Sequence, residues 1–139
     1  MTNLATTGPY RIVLAEDHVA FRRRIRMVLD RNPQFQVVAE AGDGRELLEI
    51  LKKTPADLVL LDLSMPRISG LEALPLLRSN HPVLKVLVLT MHKDREYLER
   101  ALVAGAHGYL LKEEADLELI AAITAVQQGE KYISPALKD

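Results

Sequence analysis

Five short aliphatic runs alternate with five longer amphipathic stretches, and this alternation leaves the chain few architectures to choose from. The short runs are Tyr10–Ala15, Gln36–Glu40, Asp57–Asp62, Leu84–Leu89 and Gly108–Leu111. Between and after them, apolar residues recur at three- and four-residue spacing, which is the period of a helix with one buried face. Residues 19–31 carry Phe21, Ile25, Val28 and Leu29, and residues 44–53 carry Leu47, Leu48 and Leu51 before Pro55 stops the helix. Residues 71–78 form a short helix with Pro75 near its start, and 94–104 a further one that halts before Gly105. The last helix, 115–128, reads as a seam of Leu117, Ile120, Ile123 and Val126 closed by Gly129. The run at 57–62 shows no polar alternation, as expected of a strand covered on both faces. Strands alternating with helices predict a parallel sheet layered between helices, with right-handed crossovers.

Composition removes several classes of function. At 139 residues the chain makes one domain with a core of its own. It has no cysteine, so disulfides, thiolate metal sites and cysteine nucleophiles are excluded. A net charge of −1 argues against general polyanion binding. No apolar run approaches the roughly 18 residues needed to span a bilayer. Residues 1–9 lack a secretory signal and read as a disordered lead-in, so a cytoplasmic location is expected.

Sites in parallel α/β sheets lie at the carboxyl ends of strands, where strand order reverses. Glu16, Asp17 and His18 follow the first strand, Asp62 ends the third, Thr90 follows the fourth and Lys112 the fifth. The second strand ends in Ala41-Gly42 and offers no chemistry. If the order is 2-1-3-4-5, as in flavodoxin-like folds, three carboxylates, a hydroxyl and an ammonium meet at one edge. Carboxylates packed that closely repel unless a cation sits among them, and an oxygen-only ligand set suits Mg²⁺, with Mn²⁺ able to substitute. One carboxylate can then attack phosphorus, while Lys112 and the Thr90 hydroxyl meet the phosphoryl oxygens. Taken singly, each residue has a plain structural reading: a helix cap, a turn former, a strand end, a surface ion pair. Their coincidence at four neighbouring strand ends carries the argument.

Glu16-Asp17, Asp62-Leu63-Ser64-Met65-Pro66 with Gly70, Thr90, and Tyr109-Leu110-Leu111-Lys112 resemble the receiver domain of two-component response regulators over residues 10–130. The resemblance implies a CheY-like fold of five parallel strands and five helices. It also implies that Glu16, Asp17, Asp62 and the Ser64 backbone carbonyl hold the metal. Asp62 would be the phosphoacceptor, Thr90 and Tyr109 a switch pair, and Lys112 the phosphoryl contact. A sensor histidine kinase would donate, and the domain would catalyse only its own phosphorylation and dephosphorylation. Residues 104–112 and Tyr132-Ile133-Ser134-Pro135 further resemble the NarL/FixJ (LuxR-type) subfamily, whose receivers precede a helix-turn-helix DNA-binding domain. On that reading residues 131–139 begin a linker to a C-terminal domain outside this chain. This chain itself would not bind DNA, and phosphorylation would promote a homodimer.

Some residues sit outside the motif. Arg22, Arg23, Arg24 and Arg26 crowd the first helix, either as a solvated face or, for Arg22, Arg23 and Arg26, as a kinase-docking surface. Met91 and His92 follow Thr90 and are expected to tune phosphoryl lifetime, Met91 by its bulk. Two rival readings keep the fold and change the function. One is an interaction module indifferent to phosphorylation, which a Mg²⁺ titration discriminates. The other is a flavin binder, which needs a Ser/Thr/Gly-rich phosphate loop where this chain has Glu16-Asp17-His18.

Overall fold

The computed structural model describes residues 8–138; the first seven residues of the expected disordered lead-in lie outside the described residues. The elements are β1 (Tyr10–Ala15), α1 (Val19–Asp30), β2 (Phe35–Ala41), α2 (Gly44–Lys53), β3 (Leu58–Asp62), α3 (Gly70–Asn80), β4 (Lys85–Thr90), α4 (Arg95–Ala104), β5 (Gly108–Leu111), α5 (Ala115–Gln127) and β6 (Tyr132–Ile133). They form one parallel sheet in the order β2-β1-β3-β4-β5-β6. The expected order holds, and a sixth strand extends it beyond β5.

Strand alternation divides the core in two, because successive side chains point to opposite faces. Ile12, Leu14, Leu58, Leu60, Leu87, Leu89 and Leu110 meet Phe21, Ile25 and Leu29 of α1 and Leu119, Ile123 and Val126 of α5. Val13, Val59, Leu61, Val86, Val88, Tyr109 and Leu111 face Leu47 and Leu51 of α2, Leu74 and Leu77 of α3, and Leu98 of α4. All five residues of β3 are buried, in keeping with its uninterrupted apolar run.

Local chemistry sets the helix ends. Asp43 caps α2 by accepting from the Glu46 amide, and Ser69 with Glu72 forms a reciprocal capping box at α3, devices worth about 1 kcal/mol each. That box starts α3 at Gly70, and the helix tolerates Pro75 inside and runs to Asn80, longer than its sequence pattern suggests. Gly105 ends α4 with a φ of 119°, a left-handed conformation that suits glycine. One helix face differs from expectation. Of the expected seam, Ile123 and Val126 are buried and Ile120 packs against the core, but Leu117 is 89% exposed, and Ala115, Leu119 and Ala122 complete the buried face. At 100° per residue Leu117 lies about 200° from Leu119, on the far side of the helix.

Candidate functional site

The carboxyl ends of β1, β3, β4 and β5 bring the expected residues together. Carboxylate oxygens of Glu16, Asp17 and Asp62 all lie within 4.8 Å of one another. Glu16 is fully buried; its Oε2 accepts from the Lys112 ammonium at 3.0 Å and from the His18 amide at 3.1 Å, while its Oε1 is buried without a hydrogen-bond partner. Asp62 Oδ1 accepts from the Ser64 amide at 3.1 Å, and Oδ2 lies 3.6 Å from Lys112 Nζ. Lys112 is itself held with its ammonium 4.9 Å from the centroid of the Phe21 ring. Burial, and then the Glu16 charge, push the Asp62 carboxyl above its ordinary range, against the pull of the Ser64 amide, Asp17 and Lys112. Asp17 is also raised, first by local desolvation and then by its hydrogen bond and repulsion with Asp62. Three carboxylates thus share one ammonium, and a buried Glu16 oxygen lacks a donor. An additional cation among them would relieve both, and an all-oxygen set fits Mg²⁺.

The loop after β3 is clamped from two sides. A Cβ on Gly70 would sit 2.1 Å from the Asp62 carbonyl oxygen, so only glycine lets α3 begin this close to the strand end. The Gly70 amide donates to the Leu63 carbonyl, and Met65 is buried. Arg67 takes a φ of 71°, unusual for a residue with a side chain, and its guanidinium pairs with the α2 cap Asp43 at 3.1 Å.

The loop after β4 carries a second network. The His92 amide donates to Thr90 Oγ1 at 3.0 Å, and the His92 carbonyl accepts from the Tyr109 hydroxyl at 2.8 Å. Tyr109 is fully buried beneath α4, and burial pushes its hydroxyl up to about 12. The His92 ring stacks on Tyr97 with centroids 3.9 Å apart and lies 3.1 Å from Ser64 Oγ, so it bridges α4 to the Asp62 loop. Met91 is 78% exposed and borders, with Ala20, Phe21 and Lys93, a cleft of about 800 Å³ that reaches Asp62.

A family profile described as the response regulator receiver domain matches residues 12–124. The chain belongs to the response regulator receiver family. It is 42% identical over 135 residues to the transcriptional regulatory protein DegU of Brevibacillus brevis, covering 97% of this chain and 57% of that protein. It is 41% identical over 128 residues to the oxygen regulatory protein NreC of Staphylococcus epidermidis, covering 91% and 59%. The receiver therefore spans less than two thirds of the length of these relatives. Among solved structures, a LuxR-family two-component response regulator from Aurantimonas sp. SI85-9A1 superposes with a TM-score of 0.88 at 35% identity, over 94% of this chain and 93% of that one. The isolated receiver of RcsB from Salmonella enterica serovar Typhimurium, solved with the phosphomimetic BeF3−, gives 0.87 at 28% identity, over 94% and 96%. These likenesses place the receiver in the NarL/FixJ subfamily.

The arginines of α1 are largely engaged within the receiver. Arg22 donates to the Glu16 carbonyl at 2.8 Å and pairs with Glu40 at 3.2 Å. Arg26 pairs with Asp30 and Glu40, and Arg24 with Asp116 of α5. Arg23 is exposed and makes no ion pair among the described residues. His18, exposed at the α1 cap, contributes its backbone amide to Glu16. Two side-chain contacts outside the site escaped the sequence reading, one at the amino end of β4 and one beside the end of β5. His107 Nδ1 accepts the Val86 amide at 3.0 Å, and the buried Ser134 Oγ accepts the Leu111 amide at 2.8 Å. Each is a single polar side chain standing in for a backbone partner, which no periodicity announces. No helix among the described residues is long and apolar enough to cross a membrane.

Proposed function

We propose that this receiver, acting in the cytoplasm, accepts a phosphoryl group from a sensor histidine kinase onto Asp62. The observation that carries the reading is the set of three carboxylates gathered around one ammonium, with Glu16 Oε1 buried and unpartnered. An Asp62 oxygen attacks phosphorus, the phosphorus–nitrogen bond of the donor phosphohistidine breaks, and the electron pair leaves with the imidazole. Glu16, Asp17, Asp62 and the Ser64 backbone carbonyl would hold Mg²⁺, or Mn²⁺ in its place. When bound, the cation offsets the charge of the phosphoryl oxygens. Lys112, already 3.6 Å from Asp62, meets the same oxygens from the protein side. Thr90 Oγ1 accepts from the His92 amide, and its hydroxyl would turn to donate to a phosphoryl oxygen. Met91 and His92 narrow the approach of water to phosphorus and so lengthen the phosphoryl lifetime.

Residues 10–130 form the receiver, and its output is a helix-turn-helix domain of the longer protein, as the likeness to a transcriptional regulator and to LuxR-family regulators supports. Phosphorylation promotes a homodimer, and this chain alone does not read DNA. Arg23 is the best placed of the α1 arginines to meet the kinase, since Arg22 and Arg26 are paired with Glu40. The test is titration with beryllofluoride and Mg²⁺ followed by amide spectra. Wild type gives a saturable, metal-dependent change around residues 16, 62, 90 and 112, and Asp62→Asn gives none. A full response in Asp62→Asn refutes the assignment.

A further inference from the structure

The segment after α5 is stitched to the switch rather than leaving the domain. The Tyr132 amide donates to the His107 carbonyl at 3.3 Å, and the Ser134 amide to the Tyr109 carbonyl at 2.9 Å. Ser134 is fully buried, and its Oγ takes the Leu111 amide, one residue before Lys112. Farther on, Arg95 in the first turn of α4 donates to the Leu137 carbonyl at 3.2 Å. Ile133 and Leu137 pack against the cluster that contains Tyr109, Leu98 and Ala101. Residues 132–137 therefore bridge two elements, the edge of β5 and the start of α4, and close the outside of the space that holds the Tyr109 ring.

The inner side of the same space belongs to the site. Tyr109 bonds the His92 carbonyl, and the His92 amide bonds Thr90. Arg95 follows His92 by three residues. Thr90, His92, Tyr109, Ser134, Leu137 and Arg95 thus form a closed circuit of hydrogen bonds and chain connections through the loop after β4, β5, the final segment and the start of α4. A shift of Thr90 toward a phosphoryl group is transmitted to His92 and then to both anchors of the segment. We propose that residues 132–137 are a strap whose seating is coupled to the state of Asp62: the seated strap holds Tyr109 inward, and occupancy of Asp62 tightens the strap. This rests on the phosphoacceptor reading above. Coupling between sites is reciprocal, so loosening the strap must weaken phosphoryl-analogue binding by the factor with which the analogue tightens the strap.

The test uses the whole chain with Mg²⁺ and beryllofluoride. In wild type, hydrogen exchange of the Leu111 and Ser134 amides slows when the analogue binds. Unchanged exchange there, alongside clear protection around Asp62, overturns the strap and leaves the site intact. Ser134→Ala removes the acceptor for Leu111, and Leu137→Asn removes the apolar anchor at the surface. Each variant weakens beryllofluoride affinity fivefold or more, the lower bound of ordinary allosteric coupling. A loss under fivefold in the folded variants refutes the proposal. The wild-type exchange measurement decides the matter even where a variant does not fold. A wild type that shows no response to beryllofluoride anywhere removes the phosphoacceptor reading, and the strap falls with it.

Discussion

Replacing Lys112 with Met tests how much of the site is held by one charge. The Lys112 side chain is 14% exposed and stands 3.0 Å from Glu16 Oε2 and 3.6 Å from Asp62 Oδ2, both carboxylates being buried. At an effective dielectric of about 20, each contact is worth about 5 kcal/mol of attraction before desolvation is counted. Desolvating the ammonium cancels several kcal/mol of that, so the net loss on removing one partner falls near 3 kcal/mol, the low end for breaking a buried pair. For a domain of this size that lowers Tm by roughly 10 °C. Lys112→Met keeps the length and apolar stem, so the loss is electrostatic. The assay is urea unfolding at pH 7 with and without Mg²⁺. Mg²⁺ restores part of the missing positive charge, so the variant gains more stability from the metal than wild type does. Lowering the pH shrinks the defect as well. Asp62, raised in the folded state, takes up its proton there before the unfolded chain does, so the folded state gains as pH falls from the folded value toward about 4. A loss below about 1 kcal/mol without metal, or equal metal gains in the two proteins, refutes the account of an under-neutralised carboxylate cluster.

Three further outcomes are expected. Gly70→Ala forces a Cβ against the Asp62 carbonyl at 2.1 Å, so it costs roughly 3 kcal/mol in thermal unfolding and displaces the loop after β3. His107 accepts the Val86 amide only when neutral, and burial with the nearby Lys85 and Lys131 holds its imidazole below the ordinary range. Its contribution is therefore intact above about pH 6.5 and lost as pH falls through the folded value. His107→Gln flattens that slope by about 1 kcal/mol relative to wild type, and the difference between the two proteins separates it from the opposing trend of Asp62. Met91→Ala changes stability by less than about 0.5 kcal/mol, since the side chain is 78% exposed, yet speeds self-phosphorylation from small donors, read as the rate of acyl-phosphate formation.

The sheet order and the convergence of Glu16, Asp17, Asp62, Thr90 and Lys112 were legible because each depends on a long run ending at a defined point. A buried strand of five residues fixes where its last residue falls, and four such strands fix a cluster. The sixth strand was not legible: two residues have no period, and Ser134 completes the β5 ladder with a side chain. Ile123 and Val126 are buried as expected of the α5 seam, but Leu117 was wrongly included because this helix is apolar on several sides, so a three-residue step through Leu117 matched the pattern as well as the buried series did. The pairing of Arg22 and Arg26 with Glu40 joins α1 to β2 across sequence and could not be read from the arginine run alone.

The short final strand also bears on how copies of the domain can meet. An open strand edge invites another strand to join it. Here β6 is two residues long, and beyond it the Leu111 amide is already taken by Ser134 rather than left facing outward. At the opposite margin Glu40 of β2 is tied to Arg22 and Arg26 of α1, which fastens that helix over the outer strand. With its last backbone donor plugged by a side chain, the β6 margin offers an incoming strand little to pair with, so this edge of the sheet is protected from β-augmentation.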